Sequence, residues 1–324
     1  MSASSASGRT LPWGGEPRGI RLVSRLGLAV LAGAAVVFAP APAGAQTPLA
    51  GHYPPGQSGL RGAASPSASF ASMFEKNRLK LVIDHPGSGE AVRRVDELRY
   101  ANITMITATS NLKVLGLTYG VLMGVPFSTG NLNPSADDLS SKAFGLGDVL
   151  VTPIALYHRS ETFDWTVQFT YWSDSGNFEP GGTKNRGAGF EALVYSLGAA
   201  WYPGKDRSDW SVSAISRLEQ NFEQEDTGIH PGDDLVLDWG VGKGVAGPWR
   251  AEMGVSGFAT WQLSEQEGGD PDLDTTLYRY YGAGPEVSVM PWEKWTLRLR
   301  LQWEFGAVNA VQGNNAWFIL NKAF

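Results

Sequence analysis

Cysteine is absent from all 324 residues. That excludes a disulfide framework, a thiol nucleophile and a thiolate metal site. Long apolar runs are missing once the first 45 residues are set aside. Nowhere later do 18 uncharged apolar residues follow one another, so no membrane helix is expected in the remainder. Basic charge is scarce as well. Residues 1–45 carry four Arg and one Glu; without them 22 basic residues face 31 acidic ones, which argues against a nucleic-acid partner.

What is abundant is glycine (40) and aromatic side chains (12 Trp, 10 Tyr, 14 Phe), in a chain whose mean hydropathy is only −0.16. That combination suits a protein whose apolar residues alternate with polar ones. Trp295–Phe305 shows the pattern most clearly. Trp295, Leu297, Leu299, Leu301, Trp303 and Phe305 fall on one face of a strand, and Thr296, Arg298, Arg300, Gln302 and Glu304 on the other. Aromatic residues at both ends of the apolar face, with Leu between, suit a strand that crosses a bilayer between two interfacial girdles. An Arg facing lipid at the midplane costs about 2–4 kcal/mol. Arg298 and Arg300 are therefore expected to face a polar lumen, paired with Glu219, Glu252, Glu286 or Glu304.

The same alternation recurs in residues 165–171, 210–222 and 249–263. The expected strands are 72–83, 92–109, 112–127, 147–158, 164–174, 189–202, 210–224, 234–245, 249–264, 276–289, 294–305 and 314–324. Short turns are expected at Ser110-Asn111, Arg159–Phe163, Pro203–Asp209, Ala246–Pro248 and Met290–Glu293. Longer loops are expected at 128–146, 175–188, 225–233, 265–275 and 306–313. Short turns on one side and long loops on the other are the layout of bacterial outer-membrane barrels. The predicted fold is all-β: a transmembrane antiparallel up-and-down β-barrel of about 12 strands, residues 72–324, reached by export. A soluble β-sandwich also alternates, but it does not explain aromatics at both strand ends or the loop pattern.

Residues 1–45 read as a signal peptide. Arg18, Arg21 and Arg25 form a basic region, Leu26 to Ala39 an apolar one, and Ala43-Gly-Ala45 a small-residue cleavage site. Residues 46–71 are rich in Pro, Gly, Ser and Ala. They are expected to be irregular, either free in the periplasm or tucked into the barrel mouth as a small plug. The chain ends in Phe324, on the same face as Lys322, Leu320 and Phe318. Phe318, Leu320 and Phe324 look like the C-terminal signal that the barrel assembly machinery reads.

Catalytic readings are weak. His158, Ser160 and Asp164 supply hydrolase residue types, but at an expected turn and without a Gly-x-Ser-x-Gly elbow. Asp270, Asp272 and Asp274 have calcium-loop spacing, yet Thr275 and Tyr281 replace the required Gly and Glu. They read as a solvated extracellular loop that either binds divalent cations weakly or meets lipopolysaccharide, and not as a structural metal site. Gly240–Gly247 resembles a phosphate loop but leads into another strand rather than a helix, so its glycines are read as leaving room in the lumen or letting the wall bend. No enzyme activity and no cofactor or metal are expected. The candidate lumen lining is Arg99, Asp148, Arg217, Glu219, Asp238, Arg250, Glu252, Glu286, Arg298, Arg300 and Glu304, which either lines a solute path or closes it with ion pairs.

Several segments resemble the phenol meta-pathway degradation family of outer-membrane proteins. They are Tyr53-Pro-Pro-Gly56, Gly145-Leu-Gly-Asp148 with Pro153, Pro231–Gly240, Tyr281–Glu286, Glu304-Phe-Gly306 and Asn321-Lys-Ala-Phe324. The resemblance implies an outer-membrane channel for passive uptake of small hydrophobic or aromatic compounds, with membrane lipid, lipopolysaccharide and the assembly machinery as partners. The alternatives are a closed structural or adhesive barrel and, less favoured, an outer-membrane hydrolase.

Overall fold

A computed structural model describes residues 49–64, 66, 68–82, 97–129, 144–180, 185–204, 207–247, 249–268 and 277–324. Among these residues thirteen strands follow a short 3-10 turn at Gly59–Arg61. They are β1 (Ser69–Val82), β2 (Glu97–Val114), β3 (Leu117–Thr129), β4 (Phe144–Leu146), β5 (Leu150–Arg159), β6 (Phe163–Trp172) and β7 (Ala192–Trp201). Then come β8 (Trp210–Asn221), β9 (Asp234–Val245), β10 (Ala251–Gln262), β11 (Arg279–Trp292), β12 (Trp295–Val308) and β13 (Ala310–Ala323). Each strand pairs antiparallel with its neighbours, and β1 pairs with β13 from Ser69↔Ala323 to Val82↔Ala310. The ring closes through β2–β3, while β4 pairs only with β3. The result, among the described residues, is a closed barrel of twelve strands.

The wall has the expected two faces. On β12, Leu299, Leu301, Trp303 and Phe305 are exposed on the outside, while Arg300 and Gln302 are buried inside. Phe318 is exposed on the outer face of β13 and Phe324 at its end. The Lys322 ammonium lies 5.2 Å from the Trp295 ring centroid, so its stem crosses the apolar face and its charge ends on an aromatic.

Two connections differ from the sequence reading. The β2–β3 reversal is at Leu115-Gly116 (φ 53° and 82°), not Ser110-Asn111. A tight hairpin needs two successive positive φ angles, which Gly116 favours; Ser110 and Asn111 instead sit in a register shift between Thr109 and Lys113. The long loop expected at 306–313 is absent. β12 and β13 run up to Asn309, whose φ of 48° turns the chain. The acidic loop residues Asp270, Asp272 and Asp274 lie outside the described residues.

Candidate functional site

Residues 49–63 run inside the barrel along its inner wall. Leu49 N donates to Gln266 Oε1 (3.2 Å) in the long β10–β11 connection. At the other end Ala63 N donates to Ser213 Oγ (3.1 Å), near the start of β8 beside the short β7–β8 connection. The segment thus passes from the long-loop rim to the short-turn rim. The wall is hollowed to take it. A Cβ on Gly240 would lie 2.5 Å from Leu60 Cα, one on Gly254 2.9 Å from Leu60 Cδ2, and one on Gly198 2.8 Å from Ala63 Cβ. The inward glycines of β7, β9 and β10 form a trough for Leu60 and Ala63, the room inside the barrel that the sequence suggested for Gly240.

Toward the long-loop rim, at the ends of β6 and β8, His52 is enclosed. Its Nδ1 is 3.0 Å from Glu219 Oε1 and its Nε2 is 3.4 Å from Asp148 Oδ2; Trp172 stacks on the ring and Phe190 meets it edge-on. Glu219 also accepts from the backbone of His52 (2.6 Å) and Tyr53 (3.2 Å). Burial pushes the His52 pKa down, but the Asp148 and Glu219 carboxylates beside the ring outweigh it. The net value rises from 6.5 to about 9. Asp148 also accepts from Gly176 N (2.8 Å) and Ala188 N (2.6 Å), so one carboxylate clasps both the segment and the β6–β7 loop.

Farther in, Tyr53 lies under Arg217, with the guanidinium carbon 4.0 Å from the ring centroid. Its hydroxyl donates to Asp238 Oδ2 (2.7 Å). Asp238 also accepts from Gly56 N (2.8 Å), Ser58 N (3.1 Å) and Arg217 Nη1 (3.2 Å). Arg300 bonds to Glu286 through Nε (2.8 Å) and to the Gly56 carbonyl through Nη1, while Glu286 accepts from Leu60 N (3.2 Å). At the short-turn rim Arg61 pairs with Glu252 (2.8 Å) and donates to the Arg207 carbonyl (2.8 Å). Arg207 in turn holds Asp164 and lies over the Tyr202 ring.

The opposite arc of the inner wall carries two apolar clusters among buried Thr and Ser side chains such as Thr152, Thr166, Thr170 and Ser196. Met73, Ile103, Trp317 and Ile319 form one buried cluster with Met105 against it, on β1, β2 and β13. Leu150, Trp172, Ala192 and Val194 form a second on β5, β6 and β7, with Leu122 against it. The segment reaches the first cluster through Gln57, whose Nε2 lies 3.8 Å from Met73 Sδ and 4.0 Å from Met105 Sδ.

Of the residues expected to line the lumen, the structure brings Asp148, Arg217, Glu219, Asp238, Glu252, Glu286 and Arg300 onto the segment. Arg298 is half-buried on the same face, two residues along β12 from Arg300. Glu304 bonds instead to Gly313 N (2.6 Å) and Asn315 Nδ2 (2.8 Å) on β13. Arg250 is a correction. It is exposed in the turn before β10 with φ 43°, because the strand starts at Ala251 and the alternation was carried one residue too far. The Arg99 side chain lies outside the described residues. The residues that sequence reasoning missed are on the segment itself: His52, Tyr53 and Arg61. Their signal was the inward excess of carboxylates on β8–β11, which needs cations and donors from elsewhere.

The hydrolase constellation does not assemble. Ser160 Oγ donates to Phe163 O (2.6 Å) within its own turn, His158 is exposed and packs on Trp165, and Asp164 is buried under Arg207.

A family model described as "Putative MetA-pathway of phenol degradation" matches residues 84–320. No curated protein sequence matches the chain. Among solved structures, the COG4313 outer membrane channel from Pseudomonas putida F1 is similar at 14% identity, with 84% of this chain and 100% of that one covered and a TM-score of 0.66. The beta domain of the Bordetella autotransporter BrkA (10% identity, 80% and 100% covered, TM-score 0.45) superposes more loosely. So does the P. putida toluene transporter TodX (9%, 81% and 91%, TM-score 0.36). The first similarity shows a shared barrel fold; the other two bear no further weight.

Proposed function

Because the chain belongs to the family described as "Putative MetA-pathway of phenol degradation" and folds as a closed outer-membrane barrel, we propose that it is a passive channel for small hydrophobic or aromatic molecules. The observation that carries this reading is the division of the inner wall. One arc binds the segment through charged groups, and the other carries the packed apolar cluster Met73, Ile103, Trp317 and Ile319, whose Trp317 Nε1 donates to Gln302 Oε1 (3.2 Å) at the border between the two. An apolar solute entering past lipopolysaccharide would travel along that second arc, with residues 46–71 acting as a plug that widens or narrows the path. Lumen residues Arg217, Glu219, Asp238, Glu252, Glu286 and Arg300 set the closed position of the plug in this reading.

Proteoliposomes tests it: a small uncharged aromatic should enter faster than in protein-free vesicles, and deleting residues 46–64 should raise the rate further. Equal rates in all three preparations would remove the reading. A closed structural barrel is the second reading, favoured by the fully buried Arg300–Glu286 pair on the inner wall, and it predicts no single-channel conductance even after that deletion.

Export completes the reading. Residues 1–45 would be removed after Ala45, and Phe318, Leu320 and Phe324 would present the C-terminal strand to the assembly machinery. Intact-mass measurement of the mature protein checks the first part; a mass that retains residues 1–45 contradicts it.

A further inference from the structure

Tyr53 places a phenol ring on the wall, and most of what satisfies Asp238 comes from the segment rather than the barrel. Among the described residues, Asp238 accepts from Tyr53 Oη, Gly56 N and Ser58 N on the segment and from Arg217 on the wall. Asp238 is 1% exposed and Arg217 sits on the neighbouring strand. The second oxygen contact of the Tyr53 hydroxyl, Ser58 Oγ at 3.1 Å, also comes from the segment. When residues 53–58 move away, the wall retains a guanidinium with an open face and a buried carboxylate lacking three donors.

We propose that Arg217 and Asp238 form a binding site for a neutral phenol, and that Tyr53 occupies it as a built-in stand-in while the segment is seated. The assignment rests on the channel reading, which brings the solute to the wall, and it narrows the solute class to hydroxylated aromatics. Recognition follows from two contacts that Tyr53 already makes. A phenol offers its π-face to Arg217 and an O–H to Asp238. An aromatic hydrocarbon offers only the face and leaves a buried carboxylate short of a donor. A benzoate would set a second anion against Asp238. A phenol arriving along the apolar arc would compete with Tyr53 and favour the unseated segment, so solute binding and opening are one equilibrium.

The absence of cysteine makes the test direct. Gln57→Cys in the full chain, in lipid nanodiscs, gives one maleimide target on the segment. Labelling is timed alone and with equal concentrations of 4-methylphenol, toluene or benzoate. The expected result is a saturable acceleration of fivefold or more with 4-methylphenol, less than twofold with toluene or benzoate, and loss of the difference when Asp238→Asn is added. Equal effects of 4-methylphenol and toluene, or none from 4-methylphenol, overturn the site. Tyr53→Gly supplies a second readout, because 4-methylphenol should raise its thermal midpoint and leave wild type unchanged. No rise in a folded Tyr53→Gly protein also overturns it. Aromatic flux in parallel proteoliposomes separates the two levels. Flux without phenol-specific labelling removes the site and keeps the channel, whereas phenol-specific labelling without flux keeps the site and removes the channel.

Discussion

Arg300 on β12 donates from Nε to Glu286 Oε2 on β11 at 2.8 Å, with both side chains out of solvent, and each also holds the backbone of the inserted segment. The pair therefore joins two neighbouring wall strands to Gly56 and Leu60. Arg300 Nε and Nη1 and Glu286 Oε2 are satisfied by the pair and by the segment's peptide groups, while Arg300 Nη2 and Glu286 Oε1 are buried without a partner among the described residues.

Arg300→Met leaves Glu286 buried without its cation. The expected loss is about 3–5 kcal/mol of stability. Arg300→Met combined with Glu286→Leu should be closer to wild type, because neither partner of the pair is left buried without the other. Urea unfolding of the refolded barrel in detergent, followed by tryptophan fluorescence, measures all three proteins. A double variant as unstable as the single one would show that the pair is not what the wall relies on.

Gly240→Val places a Cβ 2.5 Å from the Leu60 backbone. Overpacking of this kind typically costs about 1–3 kcal/mol. Deleting residues 46–64 should abolish that cost, since the obstruction is the segment and not the wall. Thermal midpoints of the four combinations give the coupling. An unchanged cost in the shortened chain would place the clash elsewhere.

His52 ties the segment to pH. Its folded pKa is about 9 against an ordinary 6.5, so it takes up a proton on docking. The stabilisation from that proton is fully present below pH 6.5 and fades as pH rises through about 9. Conductance or segment accessibility should therefore increase between pH 7 and 10 in wild type. In His52→Gln the rise over that window should be lost, from a more open starting point. A wild-type response that His52→Gln leaves intact would assign the titration to another group.

The outer face makes its own demand. Leu301 is exposed at the middle of β12, where lipid is its neighbour. Leu301→Arg should cost about 2–4 kcal/mol when folding is measured in phospholipid vesicles, and Leu301→Met should cost well under that. Equal folding of Leu301→Arg and wild type would contradict the assignment of this face to the bilayer.

The barrel was legible because its signal is local. Period-2 alternation in Trp295–Phe305 fixes which face of β12 meets lipid, and the same logic placed Trp165, Val167, Trp210 and Met253 outside. Turn positions were less legible. Ser110-Asn111 has turn composition, but the reversal depends on the φ angles at Leu115 and Gly116. The seating of the segment was only one of two expectations, because it rests on contacts such as Gly56–Asp238 and Leu60–Glu286, 182 and 226 residues apart. Acidic positions such as Glu219, Asp238 and Glu286 lie on the polar face of their strands and are buried. Their partners His52, Tyr53 and Arg61 lie in a Pro/Gly-rich stretch with no periodicity to say which way a side chain points.

The central claim is that this barrel carries small aromatic molecules across the outer membrane. The most direct measurement is initial uptake of a labelled small aromatic by cells lacking the protein, compared with the same cells carrying wild type or the chain without residues 46–64. The account predicts slower uptake without the protein, restoration by wild type, and uptake at or above wild type with the shortened chain at equal surface level. Identical uptake in all three strains, for hydroxylated and unsubstituted aromatics alike, would contradict it.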